Sequence, residues 1–300
     1  MNPDTPAYPA TIDELTIDVA GYTLAALKSA TSVTSSNKIL CVHGWLDNAA
    51  SFVPLMSCDN SVRNADIVAI DLPGHGYSTT LDAAGYPNFL ELGLLLPRVV
   101  TALGWQQCHL VGHSLGANLA LAAAVAAPQL FSSLVMLESA GPPVEPAEKL
   151  PGRLQKALQD RVDNQRFKSR QFEDPQAAVS TRLAAARMSV PAAEMIIERQ
   201  LKTHNGTFSW RFDPRFRYAS PFYLTEEHVK SLLQSVQQQT LVILADDGIF
   251  SGDEHPAKTL DKRLNNIPSA SVHSIPGNHH MHMDTPDKIA ELLNEHLQEI

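Results

Sequence analysis

The pentapeptide Gly112-His113-Ser114-Leu115-Gly116 constrains this chain more than any other stretch. An apolar run, Cys108-His109-Leu110-Val111, precedes it, and an alanine-rich stretch from Ala117 to Ala127 follows. That context predicts a strand, a sharp turn and a helix, the setting that a Gly-x-Ser-x-Gly nucleophile elbow requires. A serine on so strained a turn presses the residues two before and two after it against neighbouring backbone. Glycine at 112 and 116 removes the β-carbons that would clash there. The hydroxyl is lifted above the sheet, and the helix N-terminus beneath it favours negative charge.

The flanking sequence supplies the sheet. Lys38 to Val42, Ala65 to Ile70, Ser132 to Leu137, Thr240 to Asp247 and Ser269 to Ile275 are short apolar runs of the kind expected for buried parallel strands. Glu14 to Val19 alternates apolar and polar residues, and Tyr22 to Leu27 follows Ala20-Gly21, which predicts an antiparallel hairpin at the sheet edge. Helices are expected over Leu90–Leu103, Pro256–Leu264 and Pro286–Leu297. Between Gly141 and about Gln239 the buried-strand signal disappears. Amphipathic helices are expected there instead: near Ala147–Arg161, from Asp174-Pro175, near Ser189, and after Thr225, with Asp174 and Thr225 as N-caps. The fold class is therefore α/β, a doubly wound, mostly parallel sheet with an inserted helical cap. Residues 1–141 and 240–300 form the core and 142–239 the cap. Chemistry in such sheets sits at the carboxyl ends of the strands, where His43-Gly44-Trp45, Asp71, Ser114, Glu138, Asp247 and His279 fall.

Composition narrows the class. With 300 residues, 44% of them hydrophobic, the chain can bury one large α/β core. No run of about eighteen apolar residues predicts a membrane span, and no basic segment followed by an apolar stretch marks a leader. The three cysteines, Cys41, Cys58 and Cys108, have no metal-type spacing; Cys41 and Cys108 lie in apolar strand-like runs and fit buried free thiols, and a reducing, cytoplasmic compartment is expected. A net charge of −9 argues against nucleic acid as a partner. The expected partner is a small-molecule ester, and the expected state a monomer or weak homodimer.

A serine hydroxyl is a weak nucleophile and needs a base within hydrogen-bond reach, itself oriented by a third group. His279 follows the last strand and Gly277, so it can hang over Ser114. His280 then points elsewhere, and His282 supports. A metal site built from His279, His280 and His282 is the rival, but adjacent histidines rarely share one ion and no carboxylate-bearing helix motif accompanies them. No metal and no cofactor is expected. His113 is too near in sequence to fold back on Ser114, His75 belongs to a turn, and His109 packs in or beside a strand. For the acid, Glu138 and Asp247 each end a strand. Glu138 is preferred, because Asp246 and Asp247 could cap the turn before Gly248 whereas Glu138 has no competing turn role. The backbone N–H groups of Trp45 and Leu115 are the expected oxyanion donors.

With those residues in view, the chain resembles the α/β-hydrolase superfamily. HGWLDNAASF (43–52), DLPGHGYS (71–78), GHSLGA (112–117) and NHHMHMDTP (278–286) resemble its serine hydrolase-like branch, and WRFDPRF (210–216) with Thr225-Glu226-Glu227 matches the cap loosely. The resemblance implies a nucleophile at Ser114, a base at His279 and oxyanion donors at Trp45 and Leu115. Ala117 stands where a second glycine is frequent, and Gly277-Asn278 replaces paired glycines. Ala245-Asp246-Asp247-Gly248 lacks the Gly-x-x-Asp spacing usual for an acid there, which again favours Glu138. Serine at 114 argues against the dehalogenase and epoxide hydrolase branches, which use aspartate. A carboxylic ester hydrolase (serine esterase) is the resulting expectation. The alternatives are the same triad acting on thioesters, amides, lactones or carbon–carbon bonds, and a hydrolase-like receptor for a small ligand. Phe208, Trp210, Phe212, Phe216, Phe222 and Tyr223 either line the entrance or form the cap's own core.

Overall fold

A computed structural model describes residues 8–29, 37–59, 62, 65–80, 88–163, 169–252 and 255–300. The strands are β1 (Ile12–Val19), β2 (Tyr22–Ser29), β3 (Asn37–Val42), β4 (Ala65–Ile70), β5 (Cys108–His113), β6 (Phe131–Leu137), β7 (Gln171–Phe172), β8 (Leu201–His204), β9 (Thr207–Trp210), β10 (Gln239–Asp247) and β11 (Ala270–Asn278). The helices are α1 (Val53–Ser57), α2 (Phe89–Ala102), α3 (Leu115–Ala126), α4 (Leu150–Val162), α5 (Pro175–Ala185), α6 (Val190–Gln200), α7 (Glu226–Gln234), α8 (His255–Leu264), α9 (Met281–Asp284) and α10 (Pro286–Gln298).

Among the described residues, eight strands form the main sheet in the order β1-β2-β4-β3-β5-β6-β10-β11. β1 and β2 pair antiparallel, as does β2 with β4, and every pairing from β4 to β11 is parallel. The parallel strands carry continuous apolar runs because both faces are covered. Along β3, Leu40 and Val42 enter one core while Ile39 and Cys41 enter the other. β6 divides the same way, with Leu134 and Met136 on one side and Val135 and Leu137 on the other. The two-residue period of a strand thus feeds a core under α2 and α3 and a second under α1 and α10. From β3 the chain passes to β4 on one side, and β5 lies on the other. The crevice at the carboxyl ends of β3 and β5 is therefore the topological switch point, where doubly wound sheets bind ligands.

The insert differs from a purely helical cap. β7, β9 and β8 form a three-stranded antiparallel sheet, invisible to a search for buried strands because they are two to four residues long and partly exposed. α7 also packs inward, with Val229 and Leu233 in the core under α3. The final strand runs three residues past the expected end, to Asn278. Among the described residues, no helix is long and apolar enough to cross a membrane.

Candidate active site

β5 ends at His113 and α3 begins at Leu115, so a single residue makes the turn. Ser114 makes it with φ 51° and ψ −111°, a conformation that costs a non-glycine residue roughly 1–3 kcal/mol. The close packing expected of the flanking glycines is present. A β-carbon on Gly112 would lie 2.4 Å from the backbone of Ala117, and one on Gly116 would lie 2.0 Å from the carbonyl oxygen of Val42. The Ser114 N–H donates to the Leu137 carbonyl at 2.9 Å, tying the turn to β6. Leu115, the first residue of α3, has an N–H with no partner four residues back in the helix. Trp45, Ser114 and Leu115 line one cavity of about 720 Å³. Trp45, Ser114 and His279 line an adjoining one of about 480 Å³.

His279 follows β11, and its Nδ1 lies 3.0 Å from Oε2 of Glu138. Glu138 is fully buried, just past the end of β6, with φ 51°. Its Oε1 accepts the Ala245 N–H at 2.7 Å and its Oε2 the Ile249 N–H at 2.9 Å. A buried carboxylate is costly unless so satisfied. Gly248 makes the room, because a β-carbon there would lie 2.2 Å from Oε2. Asp247 is placed differently: its side chain is 66% exposed and pairs with Arg187. Asp246 accepts from Ser274 Oγ at 2.5 Å. Of the two acids the sequence offered, Glu138 meets His279 and Asp247 does not.

Several other histidines pack around the site. His113 Nε2 donates to the His279 carbonyl at 2.8 Å, so the residue before the serine fixes the loop that carries the imidazole. Burial pushes the His113 imidazole down to about 4. His282 packs 4.1 Å from the His113 ring, between centroids, and burial holds it well below its usual value. Asn278 completes the loop, donating to Asp284 at 2.8 Å and accepting the His280 N–H at 2.7 Å. His43 accepts the Leu72 N–H at its Nε2, 3.0 Å away, and its Nδ1 donates to the Gly44 carbonyl at 2.7 Å. His109 contacts Ser133 Oγ at 2.9 Å, within the strands as expected.

Two arginines, which no motif marked, join the insert to the sheet, one fully buried and one partly so. Arg199 of α6 is fully buried, donates to both oxygens of Asp71 at 3.1 and 2.9 Å, and reaches Glu14 at 2.5 and 3.1 Å. Asp71, at the end of β4, thus serves an ion pair with α6. Arg182 of α5 pairs with the buried Asp47. Burial alone would raise the Asp47 carboxyl, but the Arg182 guanidinium beside it holds it well below its usual range. The aromatic residues combine the two expected roles, since Trp210 and Phe212 also line the smaller cavity and Phe216 is also buried in the main core. Trp210, Phe212 and partly buried Phe208 pack with Phe172 in the insert's own core. Phe216, Phe222 and Tyr223 line the larger cavity, and the indole N–H of Trp45 donates to the Phe216 carbonyl at 3.2 Å.

Comparison with known proteins identifies relatives of the chain. A family described as alpha/beta hydrolase fold matches residues 37–286. A serine hydrolase-like protein of Danio rerio is 28% identical over 271 residues, covering 87% of this chain and 81% of that protein. Serine hydrolase-like protein 2 of Homo sapiens is 27% identical, covering 97% of this chain and 96% of its own length. Among solved structures, a hypothetical protein from Pseudomonas aeruginosa PAO1 superposes with a TM-score of 0.84 at 28% identity, covering 95% of this chain and 96% of that one.

Proposed function

The chain belongs to the α/β-hydrolase fold family, and from that membership we propose that it is a carboxylic ester hydrolase working through an acyl-enzyme on Ser114. The observation that carries the proposal is the 3.0 Å contact of His279 Nδ1 with the buried Glu138 carboxylate, beside the elbow serine. Nδ1–H donates to Glu138, which leaves the Nε2 lone pair as the base. Ser114 Oγ attacks the ester carbonyl and its proton passes to Nε2. The N–H groups of Trp45 and Leu115 receive the oxyanion, each worth about 10²–10³ in rate. The tetrahedral intermediate collapses, Nε2 protonates the departing alkoxide, and the alcohol leaves. Water then attacks the acyl-enzyme with Nε2 again as base, and the carboxylic acid is released. Glu138 holds one tautomer and stabilises the imidazolium formed at each step.

The insert at 142–239 acts as the cap, with Phe216, Phe222 and Tyr223 sorting the acyl or alcohol part of the substrate. Ser114→Ala is expected to lower kcat on a short p-nitrophenyl ester by about 10⁴-fold or more, and to abolish labelling by a fluorophosphonate, with an unchanged circular dichroism spectrum. Labelling at full rate in that variant would remove Ser114 from the mechanism. A wild-type protein that takes no label would instead favour a ligand-binding relative with little turnover.

A further inference from the structure

Beneath the serine turn lies a cluster that ester hydrolysis does not use. Asp47, His113 and His280 are all buried, and each turns one potential ligand atom toward the others, all within 4.8 Å. His113 donates through Nε2 to the His279 carbonyl at 2.8 Å. His280 donates through Nδ1 to the Arg187 carbonyl at 3.1 Å. A carbonyl only accepts, so these contacts fix where each ring carries its hydrogen. The opposite nitrogens, His113 Nδ1 and His280 Nε2, therefore present lone pairs. They face one carboxylate oxygen, Asp47 Oδ2, at 3.6 and 3.4 Å. Among the described residues, His113 Nδ1 is buried with no hydrogen-bond partner. Arg182 reaches Asp47 Oδ1 and His280 Nε2 from one side, but His113 Nδ1 still faces Asp47 Oδ2 with no hydrogen between them, and two such lone pairs repel unless something positive lies between them.

Two occupants could do so, a proton or a metal cation, and the distances choose. A protonated imidazole bonds to a carboxylate at about 2.7–2.9 Å, well inside both separations. Two ligands of a tetrahedral zinc, each bonded at about 2.0–2.2 Å, stand roughly 3.3–3.5 Å apart. Both spacings sit close to that edge. The outer shell also suits a metal, since a ligating histidine ordinarily donates its other N–H to a carbonyl or carboxylate, and both rings do. Gly44 keeps the space open: a β-carbon there would stand 2.8 Å from Asp47 Oδ2 and 2.9 Å from His113 Nδ1. Access exists, because all three residues line the cavity of about 480 Å³ that Ser114 shares.

We propose that Asp47, His113 and His280 form a site for a borderline transition-metal cation of the Zn²⁺ class, open on its fourth side toward the Ser114 cavity. Arg182 sets the affinity. Its guanidinium pairs with Asp47 Oδ1 and its Nη2 lies 3.4 Å from His280 Nε2, so a fixed positive charge stands at the rim. Binding should therefore be on the order of micromolar, weaker than a structural zinc site. The site uses none of the proposed triad's side chains but adjoins them, and it shares His113 with the hydrogen bond that positions the loop carrying His279.

The test is calorimetric titration of chelator-stripped full-length protein with Zn²⁺, with Co²⁺ as a spectroscopic probe. One equivalent should bind, the Co²⁺ form should show the visible absorption of low-coordinate nitrogen and oxygen ligation, and His280→Gln should weaken Zn²⁺ at least 10-fold. His204→Gln, at an exposed histidine, should leave binding unchanged. No binding, or equal affinity in His280→Gln, overturns the site. Should His280→Gln not fold, anomalous scattering at the zinc edge from soaked wild-type crystals decides. A peak between the three side chains supports the proposal; peaks only at surface histidines, or none, refute it.

Discussion

Glu138 holds a left-handed backbone, φ 51°, that an L-residue with a long side chain adopts only at a cost of about 1–2 kcal/mol. The strain is offset locally, since the Glu138 N–H donates to the Ile243 carbonyl at 2.8 Å and its carboxylate takes two further backbone N–H groups. A glutamine retains most of that geometry but gives His279 Nδ1 an amide that can turn its NH₂ toward the ring and invert the tautomer. Glu138→Gln should therefore lower kcat by up to about 10⁴-fold with a smaller loss of stability. Asp247→Asn removes only an exposed pair with Arg187 and should change kcat less than twofold and stability by under about 1 kcal/mol. Gly248→Ala makes a third arm: its β-carbon would displace the Glu138 carboxylate, so it should reproduce the glutamine phenotype. Steady-state kinetics on one p-nitrophenyl ester series compares all three, and a crippling effect confined to Asp247→Asn would move the acid to that residue.

What could be read before the structure was known depended on how far apart the interacting residues lie. The parallel sheet was legible because β3, β5, β6 and β10 each carry their own signature, an apolar run buried on both faces. Ser114, Glu138 and His279 were legible because each follows a strand at the end where such sheets do chemistry. β7 to β9 were not, since strands this short and half exposed are stabilised by pairing with each other. The Arg199–Asp71 pair joins residues 128 apart, and nothing local in α6 distinguishes Arg199 from a surface arginine. That pair is one of several anchors of α6, beside the Asn48 contact with the Ile196 carbonyl and the buried Ala193, Ile196 and Ile197. Arg199→Ala would leave the Asp71 carboxylate buried without its counter-charge, which costs about 3–5 kcal/mol. Urea unfolding should show that loss. Arg199→Met with Asp71→Asn should recover a large part of it, because the pair's worth lies in not being half removed. Equal midpoints for wild type and Arg199→Ala would show that α6 is held by its apolar contacts alone.

At the scale of the whole molecule, the buried histidines tie the fold to pH. His43 and His113 are pushed down by burial to about 4 and His75 to about 3, from an ordinary value of 6.5. Each has a structural reason to stay neutral. His43 Nε2 accepts the Leu72 N–H and would meet it donor to donor if protonated, while His75 packs 5.0 Å from His43 so that the two rings disfavour each other's charge. In the unfolded chain the same rings titrate near 6.5. Between that value and about 4 the unfolded state binds more protons than the folded one, so stability rises with pH across this window. The contribution is fully present above 6.5 and is lost progressively as pH falls toward 4. Each ring supplies up to about 1.4 kcal/mol per pH unit, and three together approach roughly 4 kcal/mol per unit. A domain stable by about 5–15 kcal/mol should therefore unfold within a few units below 6.5, taking up two to three protons on these rings and more on His282 and His109, which burial also holds down. Urea midpoints measured from pH 7.5 to 4.5, with proton uptake read from the slope, check this directly. His75→Phe, which keeps the ring's contact with Phe216 at 4.2 Å between centroids and removes the titrating group, should flatten the slope by about one proton. A midpoint that stays level from 7 to 5 would mean that these rings enter the folded core already charged, in contradiction to the donor and acceptor pattern around His43.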